Sequence, residues 1–414
     1  MAFNLSAASL ALFVGIYPAL VFSGIFSAAL PLTLFGKNIF VALPSLAFIG
    51  WSSYLSIFSA SPRISRYLVL GSWTIIFLWN LFFDPLVLGH SRSILDCLYL
   101  LNLPSAWLLA DSLSLTKSNR LKALNLIVFI SAIAAIALHV NYIFFPNIAI
   151  MDAGYGSAEF NFEADTTRSM LFNPSMHGSI VAIGMIAVYA SWRSKINFYS
   201  SYFASLFIIV VMYSSLFYGQ SRTPFLAGSI IILFFFWQSL LHKSGWHLLL
   251  MLWLMASLAL GDAFRGSIIL DYLDKFLNRA DIYGAGDRDL KLLLSIDLAF
   301  DSVRNFLFGL PPAIAASSFL NGVGVSDNSF FHLALQFGVP ASASFYYINF
   351  AIARIYGFFS LSRVLLSCLM LSNLALTNSI LWQPFLLGAV VLFVALPHSR
   401  TLLGSSHSDL LQGR

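Results

Sequence analysis

The sequence contains very few charged residues. Asp, Glu, Lys and Arg make up 9% of its 414 residues, and 59% are hydrophobic, whereas a soluble domain carries about a quarter charged residues. Apolar runs of roughly 20 residues, the length that crosses a bilayer as a helix, recur along the chain. This composition argues against a soluble enzyme and favours a membrane protein.

Cysteine is also scarce. The chain has only Cys97 and Cys368, without a CxxC pair, and the span pattern described below places them near opposite membrane faces. We therefore expect neither a disulfide nor a cysteine metal site. The acidic residues of the loops are scattered, so we also expect no bound metal and no other cofactor. The net charge is +5, and the Lys and Arg residues lie mostly in short loops between apolar runs. This distribution indicates membrane topology rather than nucleic-acid binding.

The apolar runs predict about twelve transmembrane helices in one membrane domain covering 1–414. The predicted spans are 7–30, 39–58, 67–88, 93–113, 121–145, 171–192, 199–219, 223–241, 246–262, 328–353, 363–381 and 384–397. The N-terminal run is long enough to be a first span rather than a removed signal. Basic residues cluster in alternate short loops, and the positive-inside rule makes both termini cytoplasmic.

Two long segments, 146–170 and 263–327, fall on the opposite, outer face. Apolar periodicity in the second predicts an amphipathic surface helix over 268–279. It also predicts a second helix over 287–304. Asp287 is a candidate cap for that helix, and Gly309 followed by Pro311 is expected to end the element.

Several ionisable residues lie near the outer ends of predicted spans, among them His139, His177 and Arg222. Ionisable groups in a bilayer are costly and mark sites or wet cavities, although each one alone is equally consistent with a polar group at a helix end. Their shared side favours a cavity that opens outward. The absence of a chain of acids across the midplane, and of matched broken spans, argues against a transporter.

Three arginines, Arg168, Arg222 and Arg288, lie in three separate outer segments. Arginine keeps its charge and binds phosphate through two parallel hydrogen bonds. Fixed cations stabilise a diphosphate leaving group without a metal, so the set suits a diphosphate-bearing lipid. The alternative for Arg222 is a helix-end arginine, for Arg168 a solvated turn residue, and for Arg288 an ion-pair partner on a helix face.

Candidates for a general base are Asp327, His332 and the loop acid Glu163. Asp327 has a competing role as the N-cap of the helix that follows it. A lone histidine among apolar residues, such as His332, is more often a packed residue than a catalyst. The identity of the base therefore stays open.

The combination of these motifs resembles the Wzy-type O-antigen polymerase and O-antigen ligase group. The resemblance is carried by the turn 221–223, the helix led by Arg288, the step 306–311, and Asp327-Asn328 before an apolar helix that ends at 336–340. It implies an all-α bundle of the GT-C type. It also implies glycosyl transfer from an undecaprenyl-diphosphate donor at the periplasmic face, without metal or nucleotide.

Within that resemblance, the arginines of the turn, the loop helix and the earlier loop correspond to Arg222, Arg288 and Arg168. The ligase branch usually has His-Asn where this chain has Asp327-Asn328, with His332 one turn further on, and this difference favours polymerase. We assign Arg168, Arg222, Arg288, His177 and Asn328 to diphosphate or substrate binding, and Asp327, His332 or Glu163 to activation of the hydroxyl.

The expected location is the bacterial inner membrane. The expected partners are an undecaprenyl-diphosphate-linked glycan, membrane lipid and a chain-length regulator protein, with no nucleic acid. The alternatives are the ligase, which transfers glycan to lipid A–core, a polysaccharide or lipid flippase, and a non-catalytic subunit of such a machine.

Overall fold

The computed structural model describes a subset of the chain. The described residues are 5–22, 33–34, 37–58, 74, 78, 108–109, 112–113, 116–144, 174–193, 201–219, 222–240, 285–310, 319–320, 323–324 and 328–343. These residues are almost entirely α-helical, which confirms the all-α prediction. The only β-structure among them consists of two antiparallel pairs of strands, and each strand is two residues long.

The described elements follow one another in a simple order. The N-terminal ones are α1 (Leu5–Val21), β1 (Thr33–Leu34), β2 (Lys37–Asn38) and α2 (Ile39–Phe58). The central helices are α3 (Lys117–Phe144), α4 (Pro174–Arg193), α5 (Tyr202–Gly219) and α6 (Arg222–Leu240). The last are α7 (Ala285–Phe300), α8 (Val303–Phe308), β3 (Phe319–Leu320), β4 (Val323–Gly324) and α9 (Ser329–Phe337). Strand β1 pairs with β2, and β3 pairs with β4.

The central helices lie where the apolar runs predict them. Helix α2 matches the predicted span 39–58, and α4, α5 and α6 agree with their predicted spans to within three residues. Pro174 is the first residue of α4 and Pro224 lies in the first turn of α6. Proline is tolerated there because the first N–H groups of a helix have no partner within the helix.

The chain divides into two compact units. Unit 1 comprises Met1–Ile130 and Lys291–Arg414, and unit 2 comprises Ser131–Leu290. In unit 2 the end of α3 joins α4, α5 and α6 in a bundle whose sequential neighbours are antiparallel. The Ser131 hydroxyl of α3 donates to the Ile180 carbonyl of α4 at 3.0 Å.

Helix α4 is the central helix of this bundle. Every position from His177 to Ser191 is buried, and α4 packs against both α5 and α6. Trp192 and Tyr202 mark one end of the bundle, with ring centroids 6.0 Å apart. Tyr213 and Phe225 stack near the other end, with centroids 5.4 Å apart.

The outer helices of unit 2 expose large apolar side chains instead of charged ones. These side chains are Ile133, Ile136 and Val140 on α3, Phe203 and Phe207 on α5, and Leu226, Leu233 and Trp237 on α6. Large apolar side chains exposed on several helices indicate contact with something other than water, and a lipid-facing bundle would have such side chains. Within the described ranges, Ser118–Val140 is the one helix that is long and apolar enough to cross a membrane, judged by length and composition alone. The number of about twelve spans stays a prediction.

In unit 1, hydrogen bonds between polar side chains join α1 to α2, to the first turn of α3 and to Ser112, which precedes α3. The Asn119 amide donates to the Ser6 hydroxyl at 2.8 Å, and the Trp51 indole donates to the Ser9 hydroxyl at 3.0 Å. The Ser112 hydroxyl also donates to Ser9, at 2.5 Å. Such bonds between helices satisfy polar groups in apolar surroundings and fix the helix pairing.

The predicted helix over 287–304 is in fact two helices. Helix α7 ends at Phe300, and α8 begins after Ser302, whose extended backbone and hydroxyl cap α8 by accepting from the Asn305 N–H at 3.1 Å. The proposed cap Asp287 is wrong, because α7 begins two residues before it. Gly309 ends α8 with φ 79°, as the Gly-x-Pro step predicted.

Helix α9 is shorter than the predicted span 328–353. It ends at Phe337, and Gly338 follows with φ 93° before residues 339–343 turn helical again. The N-cap is Asn328, whose side-chain oxygen accepts from the N–H groups of Phe330 at 2.9 Å and Phe331 at 3.4 Å. The assignment of this capping role to Asp327 is therefore wrong, and Asp327 itself lies outside the described residues.

Removal of the Asn328 cap is expected to lower the stability of the protein measurably. We expect Asn328→Ala to destabilise α9 by about 1 kcal/mol, because the N–H groups of the first turn lose their acceptor. The measurement is the thermal stability of the purified protein in detergent. Asn328→Asp, which keeps an acceptor oxygen, is the control, and an equal loss of stability in both variants would contradict the capping role.

Candidate functional site

Four helix ends meet at one end of unit 2, which we call the polar end: the ends of α3 and α5 and the starts of α4 and α6. His139 of α3 lies 3.1 Å from the Val211 carbonyl of α5, measured from Nε2. Gly178 of α4 packs directly onto α6, since a Cβ there would lie 2.6 Å from the Cβ of Pro224. The close approach brings the N-terminal turns of α4 and α6 side by side.

His177 has an unusual position at the polar end. Its side chain is 1% exposed, and neither ring nitrogen has a hydrogen-bond partner in the described part of the chain. Leaving a buried polar group without a partner costs about 1–3 kcal/mol. Buried polar groups normally have partners, so this exception calls for a functional explanation.

His139, in contrast, is held firmly between α3 and α5. A carbonyl only accepts, so the nitrogen facing Val211, Nε2, carries the hydrogen. The Ser214 hydroxyl lies 3.0 Å from the same nitrogen and donates to the Val211 carbonyl at 3.0 Å. His139 therefore ties α3 to α5 at the polar end.

The polar end has the electrostatic character of an anion site. The first N–H groups of a helix lack partners within the helix and carry a partial positive charge. Two such starts, those of α4 and α6, lie side by side here. Arg222 is the first residue of α6, so the sequence adds a permanent cation at the same end. The unpartnered His177 ring offers a donor or an acceptor to a bound group.

The structure therefore groups some of the predicted site residues. His177 and Arg222 both belong to the polar end of unit 2. Arg288 lies in the first turn of α7, still within unit 2. The predicted residues Arg168, Glu163 and Asp327 lie outside the described residues.

Asn328 and His332 lie in unit 1, at the start of α9. The side-chain oxygen of Asn328 accepts two backbone N–H groups of the first turn of α9. His332 is four residues further on, inside α9. Their assignment to substrate binding and catalysis stays a prediction.

The described residues contain no group of three or more His, Cys, Asp or Glu side chains that could hold a metal ion. The argument from scattered acids overlooked Asp287 and Asp289, which flank Arg288 with Asp-x-Asp spacing. Both lie in α7, and positions two apart do not share a helix face. Metal independence stays a prediction.

Sequence reasoning missed the contacts that hold the polar end. The pairing of His139 with Ser214, and the lack of a partner for His177 among the described residues, were not predicted. The signal available in the sequence was the position of each residue along its predicted span, because His139, His177 and Arg222 all lie near the outer ends of their spans. Gly178, next to His177, was a second signal, since a helical glycine often marks close packing.

Comparisons with protein-family models, with curated proteins and with solved structures give no match.

Proposed function

We propose that this protein is an O-antigen polymerase of the bacterial inner membrane. It joins oligosaccharide repeat units linked to undecaprenyl diphosphate at the periplasmic face. In this proposal the chain has about twelve transmembrane helices in a GT-C-like arrangement, with cytoplasmic termini and periplasmic loops at 146–170 and 263–327. The motif resemblance supports the proposal, and the all-helical, outwardly apolar bundle is consistent with it.

The observation that carries the proposal is the polar end of unit 2. It combines two helix N-termini, a buried histidine without a partner, and Arg222 at one end of an apolar bundle. An anionic group on a membrane lipid matches this combination, because its charge would sit at the helix starts and its chain would lie along the apolar surface. A lipid diphosphate has both features.

The proposed reaction transfers a growing glycan to an incoming repeat unit. The bond between the anomeric carbon of the glycan and its phosphate oxygen breaks, and a bond from that carbon to the acceptor hydroxyl oxygen forms. Undecaprenyl diphosphate leaves with the electron pair, and the helix starts with Arg222, Arg168 and Arg288 stabilise its charge. The hydroxyl proton passes to a general base, for which Asp327, His332 and Glu163 are the candidates.

Purified protein in phospholipid vesicles provides a direct test. With undecaprenyl-diphosphate-linked repeat units as the only sugar substrate, we expect a ladder of lipid-linked oligomers that persists in the presence of a metal chelator. Transfer only after addition of lipid A–core would identify a ligase. Movement of the lipid across the bilayer without any new glycosidic bond would identify a flippase, and the absence of all three activities would favour a non-catalytic subunit.

The unpartnered ring of His177 gives a prediction that separates function from packing. Replacement by leucine, of similar size, removes two buried unsatisfied nitrogens, so we expect His177→Leu to raise thermal stability by about 1–3 kcal/mol. We also expect it to lower polymerisation, because in this proposal the ring contacts the substrate at the polar end. Stability and ladder length would be measured on the same preparation.

Ser191 is the matched control for this prediction. Its hydroxyl is also buried on α4 and has no partner among the described residues, but it lies at the opposite end of the helix. We expect Ser191→Ala to stabilise the protein without a loss of polymer. Full activity in His177→Leu would show that the ring only packs.

A further inference from the structure

Helices α7 and α8 follow one another with only Asp301 and Ser302 between them, and we call the pair the α7–α8 hairpin. Ala299 near the end of α7 packs with Leu310, just beyond α8, and with Leu335 of α9 in a small core that Leu298 and Val339 adjoin. Away from this core, the hairpin exposes large apolar residues. This exposed stripe consists of Leu293 and Phe300 on α7 and of Val303 and Leu307 on α8, and Val303 is 77% exposed.

The stripe has an acidic border. At 100° per residue, Leu293 and Phe300 occupy nearly the same angular position on α7, whereas Asp297 is turned roughly 40–60° to one side. Asp301 follows directly after the last residue of α7. Both aspartates are exposed. An apolar edge beside a charged edge is the pattern of a helix that lies in the interface plane of a bilayer.

The hairpin is fixed to the start of a predicted membrane span. The Leu310 N–H donates to the Leu335 carbonyl of α9 at 2.7 Å. A Cβ at Gly338 would collide with the Leu307 carbonyl oxygen, so the backbones of α8 and the end of α9 are in direct contact. Because α9 begins the apolar run 328–353, this anchorage holds the hairpin at the level where the chain enters the membrane.

We propose that the α7–α8 hairpin inserts its exposed stripe into the outer surface of the bilayer. The stripe contains only Leu, Phe and Val, and it lacks the Tyr, Trp, Met and Arg that, together with Phe, are enriched in the cores of protein interfaces. Residues 285–310 carry four aspartates, two arginines and one lysine, so attraction to anionic lipid is not the driving force. Burial of the apolar side chains among acyl chains is the driving force, and the aspartates stay in water.

The inference rests on the membrane location in the proposed function, and spin labelling of the full-length protein tests it. In a Cys97→Ser, Cys368→Ser background, single labels would be attached at Val303→Cys, Leu293→Cys and Asp301→Cys. The proteins would be reconstituted in vesicles of phosphatidylcholine and phosphatidylglycerol. Collision rates would be measured with oxygen, which concentrates in lipid, and with a water-soluble nickel chelate.

We expect the oxygen-to-nickel ratio to be several-fold higher at positions 303 and 293 than at 301. Equal, nickel-dominated ratios at all three positions would overturn the inference, since the stripe would then face water. If neither reagent reaches the label at position 303 and the spectra show dipolar broadening between labels, the stripe contacts a second copy of the protein, which would overturn the inference. If neither reagent reaches position 303 and no broadening is seen, the stripe packs against another part of the same chain, which would also overturn the inference. A protein that an alkaline wash releases from the vesicles would contradict the proposed membrane location itself, so the two failures are distinguishable.

Discussion

Cells that carry Arg222→Ala are expected to lose the ladder of long glycans, with polymerisation slowed by about 100-fold or more. The estimate follows from the loss of a fixed positive group at a developing negative charge, which lowers turnover by about 10²–10³-fold in other enzymes. Arg222 begins α6 at the polar end, where the proposed leaving group accumulates charge. The measurement is a gel of surface glycan together with the protein level in the membrane.

Two controls separate charge from fold in this experiment. Arg222→Lys keeps the cation but loses the paired hydrogen bonds, so we expect an intermediate ladder. Arg193 is the last residue of α4, at the opposite end of the bundle, and we expect Arg193→Ala to leave the ladder intact. A wild-type ladder in Arg222→Ala, at a normal protein level, would remove Arg222 from the proposed site. Arg288→Ala, tested in the same way, has the same expected result.

Gly184→Leu is expected to destabilise unit 2 by about 3 kcal/mol or more, because the core has no room for the added atoms. A Cβ at Gly184 would collide with the Ser131 side chain and lie 3.2 Å from the Met212 side chain. The substitution would push α3 and α5 away from the central helix and break the hydrogen bond from Ser131 to Ile180. The measurement is the melting temperature in detergent, with the amount of protein in the membrane as a second readout.

Gly15 provides the matched control, since a Cβ there would meet nothing within 4 Å. Gly15→Leu also replaces a glycine inside a helix, α1, where leucine has the higher helix propensity by roughly 1 kcal/mol. We expect it to keep or raise the melting temperature. Equal melting temperatures for the two variants would contradict the close packing of α4.

The central helices were predictable because long apolar runs specify both the element and its approximate ends. Helix α2 and the bundle helices α4 to α6 follow their runs closely. The break between α7 and α8 was not predictable from periodicity. Its cause is local, since the Ser302 hydroxyl caps a new helix inside a stretch whose apolar spacing continues unbroken. Side chains that bond to the nearby backbone compete with helix continuation.

The candidate site was predictable only in part. Charge and span order placed His139, His177 and Arg222 near the same face, because depth in a span can be counted along the chain. Which neighbours a side chain meets cannot be counted in this way, so the tie of His139 to Ser214 and the isolation of His177 were missed. The cap at Asn328 was missed for a similar reason, since Asp327 and Asn328 are both good N-caps and only the exact helix start decides between them.

The most direct test of the proposed polymerase is a lipopolysaccharide gel from a strain that lacks this gene. The proposal predicts core capped with a single repeat unit and no ladder, because ligation survives when polymerisation is lost. Bare core, with long polymer still attached to its lipid carrier, would contradict it and identify the protein as the ligase.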